Sequence, residues 1–218
     1  MNKRKQAFQE RKVRLDARDA RFKQLVNEND LEGFKEFIEK QMLYHLHVKY
    51  LDYLLKKGSD EIIRFWLNNY GQYRISSDKL ERYYPKLFQY CDRNTMAEFL
   101  NRVYENYKNL SQCEEILIKR GELNLFSFYT SRRELSKEAF QFLLEEGTPE
   151  FIENYLIHVE ISELNLPIFL TYGKLEDIEW YFLTRQYIKQ SVVINALKEV
   201  PDELEAKIKQ TRIFLYLS

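Results

Sequence analysis

His45 and His47 are the first residues in this chain whose types suggest chemistry, because two imidazoles can hold a metal ion. A helix presents a metal-binding pair at i and i+4, as in His-Glu-x-x-His. Side chains two positions apart on a helix point away from one another. The third histidine, His158, is far along the chain, so ordinary helix-surface imidazoles are the better reading. Cys91 and Cys113 form neither a disulfide framework nor a metal knuckle. Cys113 falls just inside an expected helix start, which could lower a thiol pKa; an inert buried thiol is the preferred reading, and it suits a reducing compartment. Glu145-Glu146 and Glu176-Asp177 fall at expected helix ends, where they read as capping and solvation. Acid–base catalysis needs two groups in contrasting environments. Even the closest pair of glycines, Gly58 and Gly71, is too widely separated for a glycine-rich phosphate cradle. Serine, histidine and aspartate form no nucleophile elbow. The sequence therefore specifies no catalytic residue, metal ligand or cofactor.

Binding residues are easier to find. Residues 70–107 hold Tyr70, Tyr73, Tyr83, Tyr84, Tyr90, Tyr104 and Tyr107, with Arg74, Arg82 and Lys86 among them. Tyrosine and arginine are enriched where protein surfaces meet, and tyrosine rings also stack nucleobases. The competing reading is packing, with rings filling inter-helix layers. Tyr73, Arg74, Arg82, Tyr83, Tyr84, Lys86 and Tyr104 are the expected partner contacts. The segment 1–24 carries nine Lys/Arg against three Asp/Glu. Lys3, Arg4, Lys5, Arg11, Lys12 and Arg14 could meet phosphate or an acidic partner. Alternatively this segment caps the fold, with Phe8, Leu15 and Phe22 at heptad spacing covering the first hairpin. Lys56-Lys57 and Lys119-Arg120 precede a glycine and complement a helix C-terminus. With Arg132-Arg133 they could also align into a phosphate-binding ridge.

A repeat would position these groups. Gly121, Gly147 and Gly173 are evenly spaced and open similar phrases, GELNLFSFYT, GTPEFIENYL and GKLEDIEWYF. GSDEIIRFWL from Gly58 is a fourth, and NDLEGFKEFI from Asn29 and CDRNTMAEFL from Cys91 lack the glycine. Glycine after an apolar helix suits a left-handed turn. Acidic residues follow at Asp60, Glu122, Glu150 and Glu176, favouring a first helical turn. Thr148-Pro149 reads as an N-cap with proline at the first helical position. Ser111, Ser136 and Ser162 each precede one of these glycines by nearly the same interval and read as N-caps, with Ser111 and Glu114 matching the capping box. Apolar residues recur at helical spacing after each signal. The unit is a helical hairpin too thin to bury its own face, so neighbours must stack. Helices are expected near 5–27, 29–42, 44–57, 59–70, 76–90, 93–107, 111–120, 122–131, 136–146, 149–158, 162–171, 174–184, 189–199 and 201–216. Pro85 and Pro167 fall inside two of these and should kink or split them.

The rhythm over residues 44–200 resembles α-solenoids of the ankyrin-like, HEAT-like or tetratricopeptide-like kinds. Gly147-Thr148-Pro149-Glu150 is a faint echo of the ankyrin phrase, and the 26-residue period is shorter than the ankyrin or tetratricopeptide one. The resemblance implies an all-α, right-handed stack of antiparallel hairpins that serves as a binding scaffold. Residues 1–28 are expected as a basic N-terminal cap helix and 29–218 as the helical-repeat domain. Composition agrees: 44% apolar and 15% aromatic residues argue against disorder, and six glycines and four prolines are too few for many short strands. Acidic and basic residues balance at 34 each, so no strongly basic character points to nucleic acid. No secretory leader and no membrane span is read from the chain, which makes the cytoplasm the expected location. The expected function is a non-catalytic scaffold for a protein or peptide partner. Nucleic-acid binding through the basic arm comes second, and an enzyme with an unadvertised site ranks last.

Overall fold

The computed structural model describes residues 3–41, 48–70, 83–103, 110–185 and 189–209. Every regular element among them is a helix, as composition and periodicity predict. The chain divides into two compact units, residues 1–106 and 107–218.

The first unit contains α1 (Lys3–Asn27), α2 (Leu31–Lys40), α3 (Val48–Lys57), α4 (Asp60–Tyr70), α5 (Tyr84–Tyr90) and α6 (Arg93–Val103). Helix α1 packs on α2 and α3, α2 on α4, and α4 on α5 and α6. Asp30 caps α2, its carboxylate accepting from Gly33 N–H at 2.9 Å. Asn29 takes the left-handed backbone, with φ 55°, where the related phrases have glycine; a short polar side chain tolerates that conformation. Phe22 anchors α1. Its fully buried ring meets Phe34 at 5.8 Å and Tyr50 edge-on at 4.9 Å. The rest of the expected stripe does not cover the hairpin: Phe8 and Leu15 are 70% and 41% exposed. Only the last third of α1 reaches the other helices with its apolar face, at Phe22, Leu25 and Val26.

The second unit contains α7 (Ser111–Lys119), α8 (Leu123–Thr130), α9 (Lys137–Glu146), α10 (Pro149–His158), α11 (Leu166–Tyr172), α12 (Leu175–Thr184), α13 (Gln190–Leu197) and α14 (Asp202–Lys209). Here α7 packs on α8 and α9, α9 on α10 and α11, α11 on α13, and α8 on α10. Each first helix of a hairpin thus touches the first helix of the next. Aromatic rings run through this core: Phe126 meets Phe151 at 4.8 Å, Phe140 meets Tyr155 at 5.0 Å and Phe169 at 6.2 Å, and Phe169 meets Tyr181 at 5.3 Å.

Several local signals act differently from expectation. Gly121 alone of the repeat glycines has a positive φ, 70°. Gly147 and Gly173 are extended, at φ −70° and −67°. Their requirement is space. Each donates its N–H to the carbonyl four positions back, and a Cβ would collide with that same oxygen, Leu143 O or Phe169 O. Pro85 and Pro167 sit in the first turns of α5 and α11, where no intrahelical N–H bond is lost; the part of the expected 76–90 helix before Tyr83 lies outside the described residues. Ser136 caps α9, accepting from Ala139 N–H at 3.4 Å, and Thr148 holds the N-cap position of α10 before Pro149. At α7 the N-cap position belongs to Leu110, and at α11 to Asn165. Glu114 makes no capping box. It turns inward, fully buried.

Polar groups in this apolar interior must find partners, and tyrosine supplies many of them. Tyr129, Tyr155 and Tyr181 keep step with the repeat glycines and are fully buried. The Tyr155 hydroxyl accepts from Leu135 N–H at 3.2 Å, and the Tyr181 hydroxyl from Ile161 N–H at 2.8 Å. Tyr129 donates to Glu114 at 2.6 Å. Glu114 also accepts from Ser136 N–H at 3.0 Å and its hydroxyl at 2.6 Å, with Arg133 Nε at 3.8 Å. Glu134 likewise accepts from Ser162 N–H at 2.9 Å and Asn165 Nδ2 at 2.8 Å. The first unit uses the same device with carboxylates and an amide. Tyr50 donates to Asp19 and Tyr83 to Asp52 at 2.9 Å, both part-buried, while Tyr53 donates to Asn27 at 2.8 Å on the surface.

Tyr155→Phe and Tyr181→Phe each strand a buried backbone N–H, which costs about 1–3 kcal/mol. Urea denaturation is expected to register that loss for both, whereas Tyr172→Phe, on an exposed ring, should shift stability by less than about 0.5 kcal/mol. Burial first, then nearby carboxylates, raise the Tyr129 and Tyr155 hydroxyls well above the ordinary tyrosine value. Above pH about 10 the unfolded chain therefore binds fewer protons than the folded one, and stability falls with rising pH by about 1.4 kcal/mol per unit for each of these two tyrosines. Unfolding measured from pH about 8 to about 11 should be flat at first and then steep, with a shallower slope in Tyr129→Phe.

Candidate functional site

The described part of the Tyr/Arg run faces inward. Tyr84 is buried, its ring edge-on to Phe99 at 4.9 Å. Tyr83 is buried with its hydroxyl on Asp52, and Tyr90 is buried with Arg64 over its ring at 5.6 Å. Lys86 donates to Leu55 O at 2.8 Å, near the C-terminus of α3, where a cation is stabilised by the helix dipole. These are the packing roles that the competing reading anticipates. Tyr73, Arg74, Arg82 and Tyr104 lie outside the described residues, as do His45 and His47.

The basic segment is different. Arg11, Lys12 and Arg14 are exposed on α1, and Lys3, Arg4 and Lys5 form its first turn. Every described side chain from Gln6 to Ala17 is exposed. Lys56 and Lys57 occupy the last turn of α3. Arg120 binds Glu122 at 2.8 Å, and Arg132 lies over Phe128 at 3.9 Å. With Arg133 turned toward Glu114, the arginines around α7 and α8 have local structural partners.

Nothing among the described residues builds a catalytic constellation. Cys91 and Cys113 are buried thiols. His158 is exposed at the end of α10, and no group of three or more metal-ligating side chains occurs among the described residues. The buried carboxylate of Glu114 is held by four polar neighbours. No described helix is long and apolar enough to cross a membrane.

A surface that the sequence reading did not single out lies on α10 and α12. Arg185, just after α12, donates to Leu156 O at 3.2 Å and also to Ile157 O. These bonds tie the residue just beyond α12 to the last turn of α10. Ile157 and Leu183 are separated by the same interval as Gly147 and Gly173, and both are exposed. Trp180, one helical turn before Leu183, is 41% exposed. Carboxylates precede these residues by three or four places on the same helices: Glu153 on α10, and Glu176, Asp177 and Glu179 on α12. Partial burial raises the Asp177 carboxyl; Lys174 pulls it down, and the charges of Glu176 and Glu153 add to the rise. The sequence signal was present in the acidic excess of residues 134–184, which hold eleven Asp/Glu and two Lys or Arg before Arg185. Overall neutrality concealed it.

No protein-family model matches the chain, and neither a curated protein nor a solved structure matches it.

The two tryptophans report on this geometry separately. Trp66 is 1% exposed, with its indole N–H unpaired among the described residues. Trp66→Phe should leave a red-shifted emission that acrylamide quenches readily, and Trp180→Phe a blue-shifted emission that resists it. Equal quenching in the two variants would contradict the exposed position of Trp180.

Proposed function

We propose that this chain is a non-catalytic interaction scaffold of the cytoplasm, a right-handed stack of antiparallel helical hairpins that holds a protein or peptide partner. Support for the stack comes from the regular recurrence of Tyr129, Tyr155 and Tyr181 at buried positions and from the packing of α7, α9, α11 and α13 in succession. Such an array presents neighbouring helices as one surface without any catalytic geometry.

One observation carries the binding role: Ile157 on α10 and Trp180 and Leu183 on α12 are exposed, with carboxylates three or four places before each, and Arg185 links the two helices. An exposed tryptophan with aliphatic neighbours has the composition of a binding hot spot. The acidic rim selects against acidic partners and favours basic ones. The partner that fits is a basic amphipathic helix, whose apolar anchors recur at i, i+3, i+4 and i+7. In the first unit, Tyr73, Arg74, Arg82 and Tyr104 remain candidate contacts on composition alone.

The exposure of Arg11, Lys12 and Arg14 favours a second reading, nucleic-acid binding through α1. Its affinity would fall steeply with salt as counterions are released.

A synthetic Lys/Leu amphipathic helix of about 18 residues is the probe for the first reading. It should bind the chain, and Trp180→Ala with Leu183→Ser should weaken it at least about tenfold, or about 1.4 kcal/mol, without changing far-ultraviolet circular dichroism. Affinity unchanged in that double variant removes the reading. Polarisation of a labelled oligonucleotide at two salt concentrations tests the second reading with the same preparation.

A further inference from the structure

The apolar stripe of α1 is occupied at one end only. Phe22 is enclosed by Phe34, Phe37, Tyr50 and Tyr53. Phe8 and Leu15, two and one heptads before it, stand exposed. The described helix positions three and four places after Phe8 are Arg11 and Lys12, and residues at those spacings are surface neighbours. Around Leu15 the same spacings give Arg11, Lys12, Arg18 and Asp19. Two large apolar side chains therefore lie within a basic border. That arrangement mirrors the face of α10 and α12, where Glu176 and Asp177 precede Trp180 by four and three places, Glu179 precedes Leu183 by four, and Glu153 precedes Ile157 by four.

We propose that the Phe8/Leu15 face of α1 docks on the Ile157/Trp180/Leu183 face of a second copy of this chain. The inference rests on the scaffold reading and names its partner. Charge complementarity argues for a second copy. Residues 3–18 carry seven basic and two acidic side chains, residues 134–184 carry eleven acidic and two basic ones, and the whole chain is neutral. Two copies thus bring opposite fields together without accumulating net charge. The lengths agree too. The exposed run from Gln6 to Ala17 spans about 18 Å at the helical rise, comparable to the ten-residue helices α10 and α12. Burial of Phe8 and Leu15 against Trp180 supplies the apolar anchor, and the charged borders set orientation and association rate. The contact joins different patches on the two copies, so reciprocal docking closes a pair while one-way docking runs on head to tail.

Sedimentation velocity on the full chain tests this. Wild type should associate at concentrations of tens of micromolar in about 50 mM salt and dissociate toward monomer at about 500 mM, where the Debye length shrinks to a few ångströms. Arg11→Glu with Lys12→Glu, and separately Glu176→Lys with Glu179→Lys, should each weaken association at least about tenfold. All four positions are polar sites on the surfaces of their helices, so the melting temperature should stay near that of wild type. Mixing the two charge-reversed chains should restore a mixed complex. In a Trp66→Phe background, Trp180 emission should shift to the blue as concentration rises. A chain that stays monomeric at every concentration at low salt overturns the proposal, as does association unchanged by either pair of reversals. If the arm variants lose oligonucleotide binding while self-association persists, α1 serves nucleic acid and the proposal falls. Binding of the synthetic basic helix to a chain that remains monomeric would leave the scaffold reading standing and remove only this inference.

Discussion

A buried backbone N–H must find an acceptor, and a rigid aromatic side chain can carry one into an apolar layer. The hydroxyls of Tyr155 and Tyr181 do so for Leu135 and Ile161, each twenty positions earlier. Short hairpins leave non-helical segments between helices, and those segments are here partly enclosed by neighbouring helices. Without the tyrosine oxygens their N–H groups would be desolvated without compensation. The same rings fill the core beside Phe126, Phe140 and Phe169. One residue type thus meets both the packing and the polar requirement of a hairpin boundary.

Glu114 shows how much polar character this interior tolerates when it is paired. Its carboxylate receives Tyr129, the N–H and hydroxyl of Ser136, and the nearby Arg133 charge. A buried carboxylate missing one of these would be costly. Glu134 likewise accepts from Ser162 N–H and Asn165, from a position out of step with Glu114. In the first unit tyrosine donates to Asp19, Asn27 and Asp52, all on helices remote in sequence. The abundance of tyrosine in this chain is in good part a structural requirement. That explains why Tyr83 and Tyr84, attractive as surface contacts on composition, are found inside.

The exposed apolar residues follow from the same constraint. Tyrosine and phenylalanine fill the core beneath α10 and α12, and the outward positions at Ile157, Trp180 and Leu183 stay exposed. On α1 the last third of the helix reaches the hairpins, and the remainder extends beyond their apolar surface with Phe8 and Leu15 uncovered. The charged residues beside these two faces are of opposite sign. This opposition gives the exposed surface a chemical preference that overall neutrality hides.

The sequence by itself determined the helical class and most helix positions, because apolar spacing and cap residues act locally. Ser136, Thr148-Pro149 and the lysines ending α3 stand where local chemistry places them. Several meanings needed the neighbours. Gly147 and Gly173 looked like left-handed turns and are instead extended residues pressed against a carbonyl. Glu114 fits a capping box by spacing, and turns inward because Tyr129 and Ser136 come to it from the next segments. The tyrosine series was legible in principle, since it keeps step with the glycines. Which tyrosine oxygen meets which N–H was not, because such distant pairs are decided by packing and leave no local spacing rule. The face on α10 and α12 was hidden for the same reason: exposure depends on what else covers a helix, and only the tertiary structure fixes that.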